Sequence, residues 1–365
     1  MKNSMFVPNN NRRSAVRFCA ALGLLLCGCS SKTGDEVLDC FKTGSQTLSP
    51  VMTIDLEQYG IMLPTHVIKY HDSFIIEKGS GKNVVDIITP STGEVKHLFA
   101  KGRGPGEIIT PSSLQLIGDK LYLYDITSQK YYSLDLKDVM AGKSVNPLVE
   151  YVFSGMAESG IIRPFIFYKT KAGLLSTGIY SANSWCVSIN DDLNIMSSVP
   201  CLDYDSISAL SPEARGVAHI SSHFSLHPNG DKAVIAMQCA GAFSICDYSG
   251  GVLTETYRYQ SKRQPKVGEP GMPGSPMIVY ASDDISTFRG ACSDNRHFYL
   301  LYSGKSTMSE DSPAVVAGNL LVYDWKGKPV KRYELENEVD SIYLDGEMVY
   351  CAASFPEPRL LVYKL

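Results

Sequence analysis

The 365-residue sequence predicts an all-β fold, a six-bladed β-propeller whose ring is closed by an N-terminal strand completing the last blade. Three observations carry this expectation. Beyond the N-terminus no stretch keeps a long 3.6-residue apolar period; short apolar or alternating runs bounded by turn residues recur instead, which is how strands read. A unit of strand, polar turn, strand and third strand occurs six times. The turn markers Asp72, Gly118, Gly173, Gly230, Asn295 and Gly346 are spaced 46, 55, 57, 65 and 51 residues apart, the length of a four-stranded blade. A β-sandwich is the main rival, and it explains six such units less simply.

The first 28 residues read as an export signal. They hold Lys2, Arg12, Arg13 and Arg17 and no acid, followed by a short apolar run at 18–26, too short to span a bilayer. The run ends Leu26-Cys27-Gly28-Cys29, which resembles the bacterial lipobox. That resemblance implies cleavage before Cys29 and a diacylglycerol thioether on its sulfur. Arg12-Arg13 lacks the flanking residues of a twin-arginine signal. Residues 29–47 are polar and are expected to form a flexible tether lifting the domain off the membrane.

Residues 48–365 are expected to form the propeller. The first unit covers 66–77, 84–88 and the turn at 91–94. The second covers 113–125 and 130–135, the third 165–177 and 185–190, the fourth 223–237 and 242–251. The fifth covers 290–302 and 320–327, the sixth 341–351 and 360–364. The sixth unit stops after its third strand. Residues 48–56 are placed to supply the missing outer strand, which removes the free edge of an open array.

On these residues the chain resembles the six-bladed TolB-like β-propeller lipoproteins of Bacteroidota. The lipobox at 26–29, the six units and the segment 101–107 (KGRGPGE) carry the resemblance, which spans nearly the whole mature chain. It implies fold and location far better than activity, since one scaffold hosts many functions.

Charge and cysteines narrow the classes. Without residues 1–28 the chain holds 30 Lys and Arg against 38 Asp and Glu, a formal charge of −8, which argues against nucleic-acid binding and against adhesion to anionic headgroups. The expected membrane contact is the lipid alone, and a monomer is expected. Of ten cysteines, Cys19 and Cys27 leave with the signal, Cys29 carries the lipid and Cys40 lies in the tether. Cys186, Cys246 and Cys351 fall in apolar strand runs, where a thiol acts as a small buried hydrophobe. Cys239 and Cys246 are the one pair spaced to bridge a hairpin.

No catalytic constellation stands out. The nucleophile elbow, the two-histidine zinc helix and the paired-cysteine zinc motif are all missing from the sequence. His219, His223 and His227 share a four-residue spacing, but on a strand that step separates the imidazoles by about 13 Å, too far for one ion. Asp191-Asp192 and Asp283-Asp284 read as solvated turns. Two loops are the binding candidates. In 101–107 the glycines read first as a sharp inter-blade crossover; if the segment is functional, Arg103 and Glu107 would sit at one mouth of the central channel. The long Pro/Gly-rich connection 261–280 offers Lys262, Arg263, Lys266 and Met272 at a rim. Residues 203–215 are expected to carry a short helix capped by Ser211 with Pro212 at its first position.

The expected function is a lipid-anchored, exported binding or scaffold module of the cell envelope, held to the outer membrane on its periplasmic or outer side. Its ligand would be a peptide, glycan or partner protein, with no cofactor and no catalytic residue. The alternative is an enzyme, a lactonase-like hydrolase or glycan lyase with calcium or another metal in the central channel. The decisive observation would be whether the channel mouth gathers acids and histidines or apolar and aromatic groups.

Overall fold

The computed structural model describes residues 35–42, 44–268, 277–279, 284–307 and 316–365. Among the described residues a 3₁₀ turn at Leu38–Cys40 is followed by two strands, β1 (Ser45–Leu48) and β2 (Met52–Asp55). Six antiparallel meanders follow. Blade 1 is β3 (Pro64–Tyr70), β4 (Ser73–Lys78), β5 (Asn83–Thr89) and β6 (Glu94–Ala100). Blade 2 is β7 (Pro111–Ile117), β8 (Lys120–Asp125), β9 (Lys130–Asp135) and β10 (Leu148–Val152), with the one-turn helix α1 (Leu136–Met140) between the last two. Blade 3 is β11 (Ile161–Thr170), β12 (Gly173–Tyr180), β13 (Ser184–Ile189) and β14 (Ile195–Pro200). The helix α2 (Pro212–His219) leads to blade 4, built of β15 (Ser222–Leu226), β16 (Lys232–Met237), β17 (Ala242–Ser249) and β18 (Val252–Gln260). A two-stranded ribbon, β19 (Val267–Gly268) and β20 (Met277–Ile278), precedes blade 5: β21 (Ile285–Ser293), β22 (His297–Ser306), β23 (Ala317–Asp324) and β24 (Pro329–Val339). Blade 6 contributes only β25 (Ser341–Asp345), β26 (Met348–Ala353) and β27 (Arg359–Lys364).

The expected closure is present. β2 pairs antiparallel with β27, from Met52 opposite Val362 to Asp55 opposite Arg359, and becomes the fourth strand of blade 6. The hydrophobic core is correspondingly divided into six clusters, one at each seam between neighbouring blades, and the seam of blades 6 and 1 is filled like the rest by Leu56, Ile61, Val67, Phe74, Ala352 and Leu360. Strand alternation explains the division. On β16, Ala233, Ile235 and Met237 face blade 3, while Val234 and Ala236 face blade 5. Both faces of a blade are covered, so its strands read as continuous apolar runs. Turn chemistry matches the markers. At Gly173 φ is +123°, and a Cβ there would meet the Ile189 carbonyl oxygen at 2.2 Å.

The expected tether is corrected in its described part. Residues 35–41 dock on the propeller. Val37 and Phe41, 3% and 8% exposed, enter the seam of blades 4 and 5. Tyr302 donates its hydroxyl to Asp35 Oδ2 at 2.6 Å, and the other Asp35 oxygen accepts from the Val37 and Leu38 N–H groups. β1 then adds to blade 5 as a fifth strand, parallel to β24, with Ser45 opposite Arg332. The reason lies in apolar residues that a polar average hides: Val37, Leu38 and Phe41 lie on one short 3₁₀ turn and remove apolar area from water.

Cys239 and Cys246 do not pair: among the described residues none of Cys40, Cys186, Cys201, Cys239, Cys246, Cys292 and Cys351 forms a disulfide. The short helix stands as expected: Ser211 caps α2 by accepting from the Ala214 N–H at 3.2 Å.

If Phe41 is a seam residue, Phe41→Ala will lower the unfolding free energy by about 3 kcal/mol, the usual cost of truncating a buried phenylalanine. Urea unfolding followed by tyrosine fluorescence measures this; an unchanged midpoint would return the segment to a tether.

Candidate functional site

The first strands of the blades, β3, β7, β11, β15, β21 and β25, face the ring axis and line one cavity of about 420 Å³. Contacts between them close the circle, β3 against β7 and β25, β11 against β7 and β15, β21 against β15 and β25. Their edges are stitched by small polar side chains. Ser112 donates to the Phe165 carbonyl (2.8 Å), Ser113 accepts from the Phe167 N–H (2.8 Å), and Gln115 bonds both the N–H and the C=O of Lys169. These contacts climb together on β7 and β11, so the two strands run parallel. Across the ring Ser225 donates to Ser293 (2.8 Å), which donates to the Leu226 carbonyl (2.6 Å).

Because the strands share a direction, sequence position becomes depth. Towards the starts of these strands stand Thr65, His66, Ser112, Ser113, His223 and Ser341, with Asp340 just before β25 and Arg289 midway along β21. Towards their ends stand Leu116, Tyr168, Leu226, Cys292 and Leu344, with Tyr343 midway along β25, among the smaller polar groups Gln115, Ser225 and Ser293. The titratable polar groups therefore gather in one half of the channel and the larger apolar and aromatic groups in the other. Glu77 reaches the polar half from β4, opposite His66, beside a register shift between Pro64 and His66.

Enclosure sets the charge states of this polar half. Burial lowers the pKa of His66 to about 4. Burial, then the Arg289 charge and His66, lower that of His223 to about 3. Both imidazoles are neutral at pH 7. Burial raises Glu77 to about 7, against the lowering effect of the Thr65 hydroxyl 3.4 Å away. Asp340 is also raised by burial; Ser354 opposes this by donating its N–H (2.6 Å) and hydroxyl (3.0 Å), and Arg289 by its charge. Among the described residues, His223 Nε2 and Ser341 Oγ are buried without a hydrogen-bond partner. Such atoms face a desolvation cost of a few kcal/mol unless a water or a ligand bonds them.

The residues singled out in the sequence lie elsewhere. Cys29 and Met272 are outside the described residues. Arg103 is exposed, and Glu107 folds back to accept from the Gly104 N–H at 2.6 Å. A Cβ on Gly102 would sit 2.1 Å from that carboxylate, so the glycine makes room for its own loop. Lys262 pairs with Glu36 (3.4 Å) and Lys266 with Asp284 (3.6 Å), while the Arg263 N–H reaches Ser261 Oγ. None of these five lines the channel. The three spaced histidines do not share one strand: His219 ends α2, His223 lies on β15 and His227 follows that strand. His219 bonds the Leu202 N–H and Arg215 carbonyl within α2's packing, His223 enters the channel, and His227 pairs with Asp231. Among the described residues no three histidine, cysteine or carboxylate side chains converge on a metal position.

Residues 51–347 match the family described as TolB-like 6-blade propeller-like. This chain belongs to that family. The fold of this TolB-like propeller is shared at low identity. A member of the DUF4221 family from Bacteroides vulgatus is 7% identical, with a TM-score of 0.51 over 86% of this chain and 95% of that one. A gluconolactonase from Xanthomonas campestris is 11% identical, with a TM-score of 0.47 over 85% and 89%. A luciferin-regenerating enzyme is 8% identical, with a TM-score of 0.49 over 86% and 95%. No curated protein matches the sequence.

The buried histidines fix the sign of the acid response. A base held below its ordinary pKa of 6.5 stabilises the fold above that pH and loses the contribution as pH falls towards 4. His66, His219 and His223 each act this way, by roughly 1–2 kcal/mol at pH 5. Glu77 acts oppositely: its raised pKa favours the fold at low pH, and the contribution is lost as pH rises from about 4.5 through about 7. Urea unfolding from pH 7 to 4 will show a net loss of stability. The loss will be steeper in Glu77→Gln and shallower in His223→Gln.

Proposed function

We propose that this TolB-like propeller is an exported, lipid-anchored binding protein of the cell envelope. Its ligand is small, neutral and polyhydroxylated, a glycan of one or two sugar units held in the polar half of the channel. The observation that carries the reading is the pair of unpartnered buried atoms, His223 Nε2 and Ser341 Oγ, facing a cavity whose other polar groups mix donors with acceptors. A carboxylate ligand would lie against Glu77 and Asp340, and an amine against Arg289. Hydroxyl groups donate to the first two and to neutral imidazoles and accept from the third. Tyr168 and Tyr343 in the other half suit the C–H face of a sugar. A volume of about 420 Å³ is in the range of small-molecule sites.

Export and anchoring rest on the basic segment, the apolar run and Cys29. Feeding an alkyne fatty acid to expressing cells will label the wild type and leave Cys29→Ala unlabelled; label on both overturns the assignment.

A neutral mono- and oligosaccharide panel, read by calorimetry on the purified propeller, tests the ligand. One sugar class will bind. His223→Ala and Arg289→Ala will each weaken it about 10-fold or more, the effect of losing a buried polar contact. Binding of carboxylates but not sugars overturns the reading.

Hydrolysis in the same channel is the second reading, favoured by Glu77, whose pKa of about 7 suits proton transfer. In that case Glu77→Gln abolishes turnover of the bound sugar and keeps its affinity.

A further inference from the structure

The two halves of the channel suit two different parts of one ligand. Beyond the polar half, five of the six blades turn apolar side chains to the axis: Leu116, Tyr168, Leu226, Cys292 and Leu344, with Tyr343 beside the last. Leu116 and Tyr343 lean on the core at the seam of blades 1 and 2, Tyr168 and Leu226 on that of blades 3 and 4, and Leu344 on that of blades 5 and 6. These seams alternate around the ring, so the apolar lining surrounds the axis instead of covering one wall. Burial pushes the Tyr168 phenol up to about 12 and raises that of Tyr343, in keeping with a poorly hydrated space.

The smaller polar groups of this half are already engaged. Gln115 commits both ends of its amide to the N–H and C=O of Lys169, and Ser225 donates to Ser293, which donates to the Leu226 carbonyl. The unpartnered buried atoms that line the channel, His223 Nε2 and Ser341 Oγ, both stand in the polar half. A sugar ring pushed past Tyr168 would carry hydroxyl groups away from water to a place that offers them few partners, at a cost for each. A hydrocarbon meets no such cost and gains by leaving water. We infer that the ligand is amphipathic, a sugar head in the polar half joined to one short alkyl or aryl aglycone that fills the apolar half. The inference rests on the sugar-binding reading above and supplies the rest of the molecule. Depth limits the aglycone. From His223 to Leu226, and from Ser341 to Leu344, is three residues. That step covers at most about 10 Å along the strand and less along the axis. With bonds of about 1.5 Å, a chain of roughly six carbons fits.

Methyl, butyl and hexyl β-glucosides, the matching galactosides and mannosides, and cellobiose, lactose and mannobiose are the probes. Calorimetry uses the full chain carrying Cys29→Ala, which takes no lipid and so needs no detergent to compete with them. For the sugar that binds, affinity will rise about 3-fold per added carbon, so that hexyl exceeds methyl on the order of 100-fold. Leu226→Asn and Leu344→Asn will each cut that hexyl-to-methyl ratio about 10-fold. The ratio is read within one variant, so a partly unfolded sample does not distort it. Equal affinity along the wild-type series, or a disaccharide bound more tightly than the matching hexyl glycoside, overturns the amphipathic ligand and leaves the sugar head standing. A ratio that both variants keep places the chain outside the channel and does the same. Absence of binding by every glycoside overturns the sugar reading, and this inference with it.

Discussion

The pairing of β2 with β27 is the constraint on which the ring depends. Each blade has two apolar faces, and each face is buried only by a neighbour. A linear stack of six would leave one naked face at each end and an unpaired edge on blade 6. Four residue pairs, Met52–Val362 to Asp55–Arg359, bring the two ends together and let Leu56, Ile61 and Val67 pack on Ala352 and Leu360. Edge pairing and face burial are thus one event. β1 extends the same economy to blade 5, covering the outer edge of β24 with a parallel strand.

Closure also creates the channel. Six inner strands with a shared direction present one unpaired edge each to the axis. Serines and Gln115 bond some of those edges to the next strand, which seals the seams without filling the space. What remains at the polar end is chemically unusual for an enclosed place. Two imidazoles are neutral, a carboxyl stands at the edge of ionisation near neutral pH, and Asp340 is held by Ser354. Low surrounding polarity makes each hydrogen bond formed there stronger and each one missed more costly.

The fold was legible because its physics is local and repeated. Burial of both blade faces writes apolar runs into every strand, and tight hairpins write glycine or a short polar residue between them. The site was much less legible. His66, Glu77, Arg289 and Asp340 are ordinary polar residues on separate strands, with no common spacing. Only the closed ring brings them together. One signal was available: each repeated unit begins with its inner strand, and His66 and His223 stand at the starts of two of them. The loops 101–107 and 261–280 drew attention through glycine, proline and charge. Glu107 and Gly102 instead shape their own turn, and Lys262 ties down Glu36. The described part of the expected tether, 35–42 and 44–47, was misread for the opposite reason. Val37, Leu38 and Phe41 are too few to raise the apolar average of a polar stretch, yet enough to dock it.

The join of first strand to last also bears on the chain's history in the cell. Met52 waits for Val362, so the contact that completes the fold spans about 310 residues. Contacts so distant along the chain form late. During synthesis, and during any passage through a translocation pore, blades 1 to 5 are made before the residues that cover their end faces exist outside. The ring therefore stays open until its last strand arrives. The closing strand acts as a timer: the circle is completed only after the last residues of the sixth blade have been made.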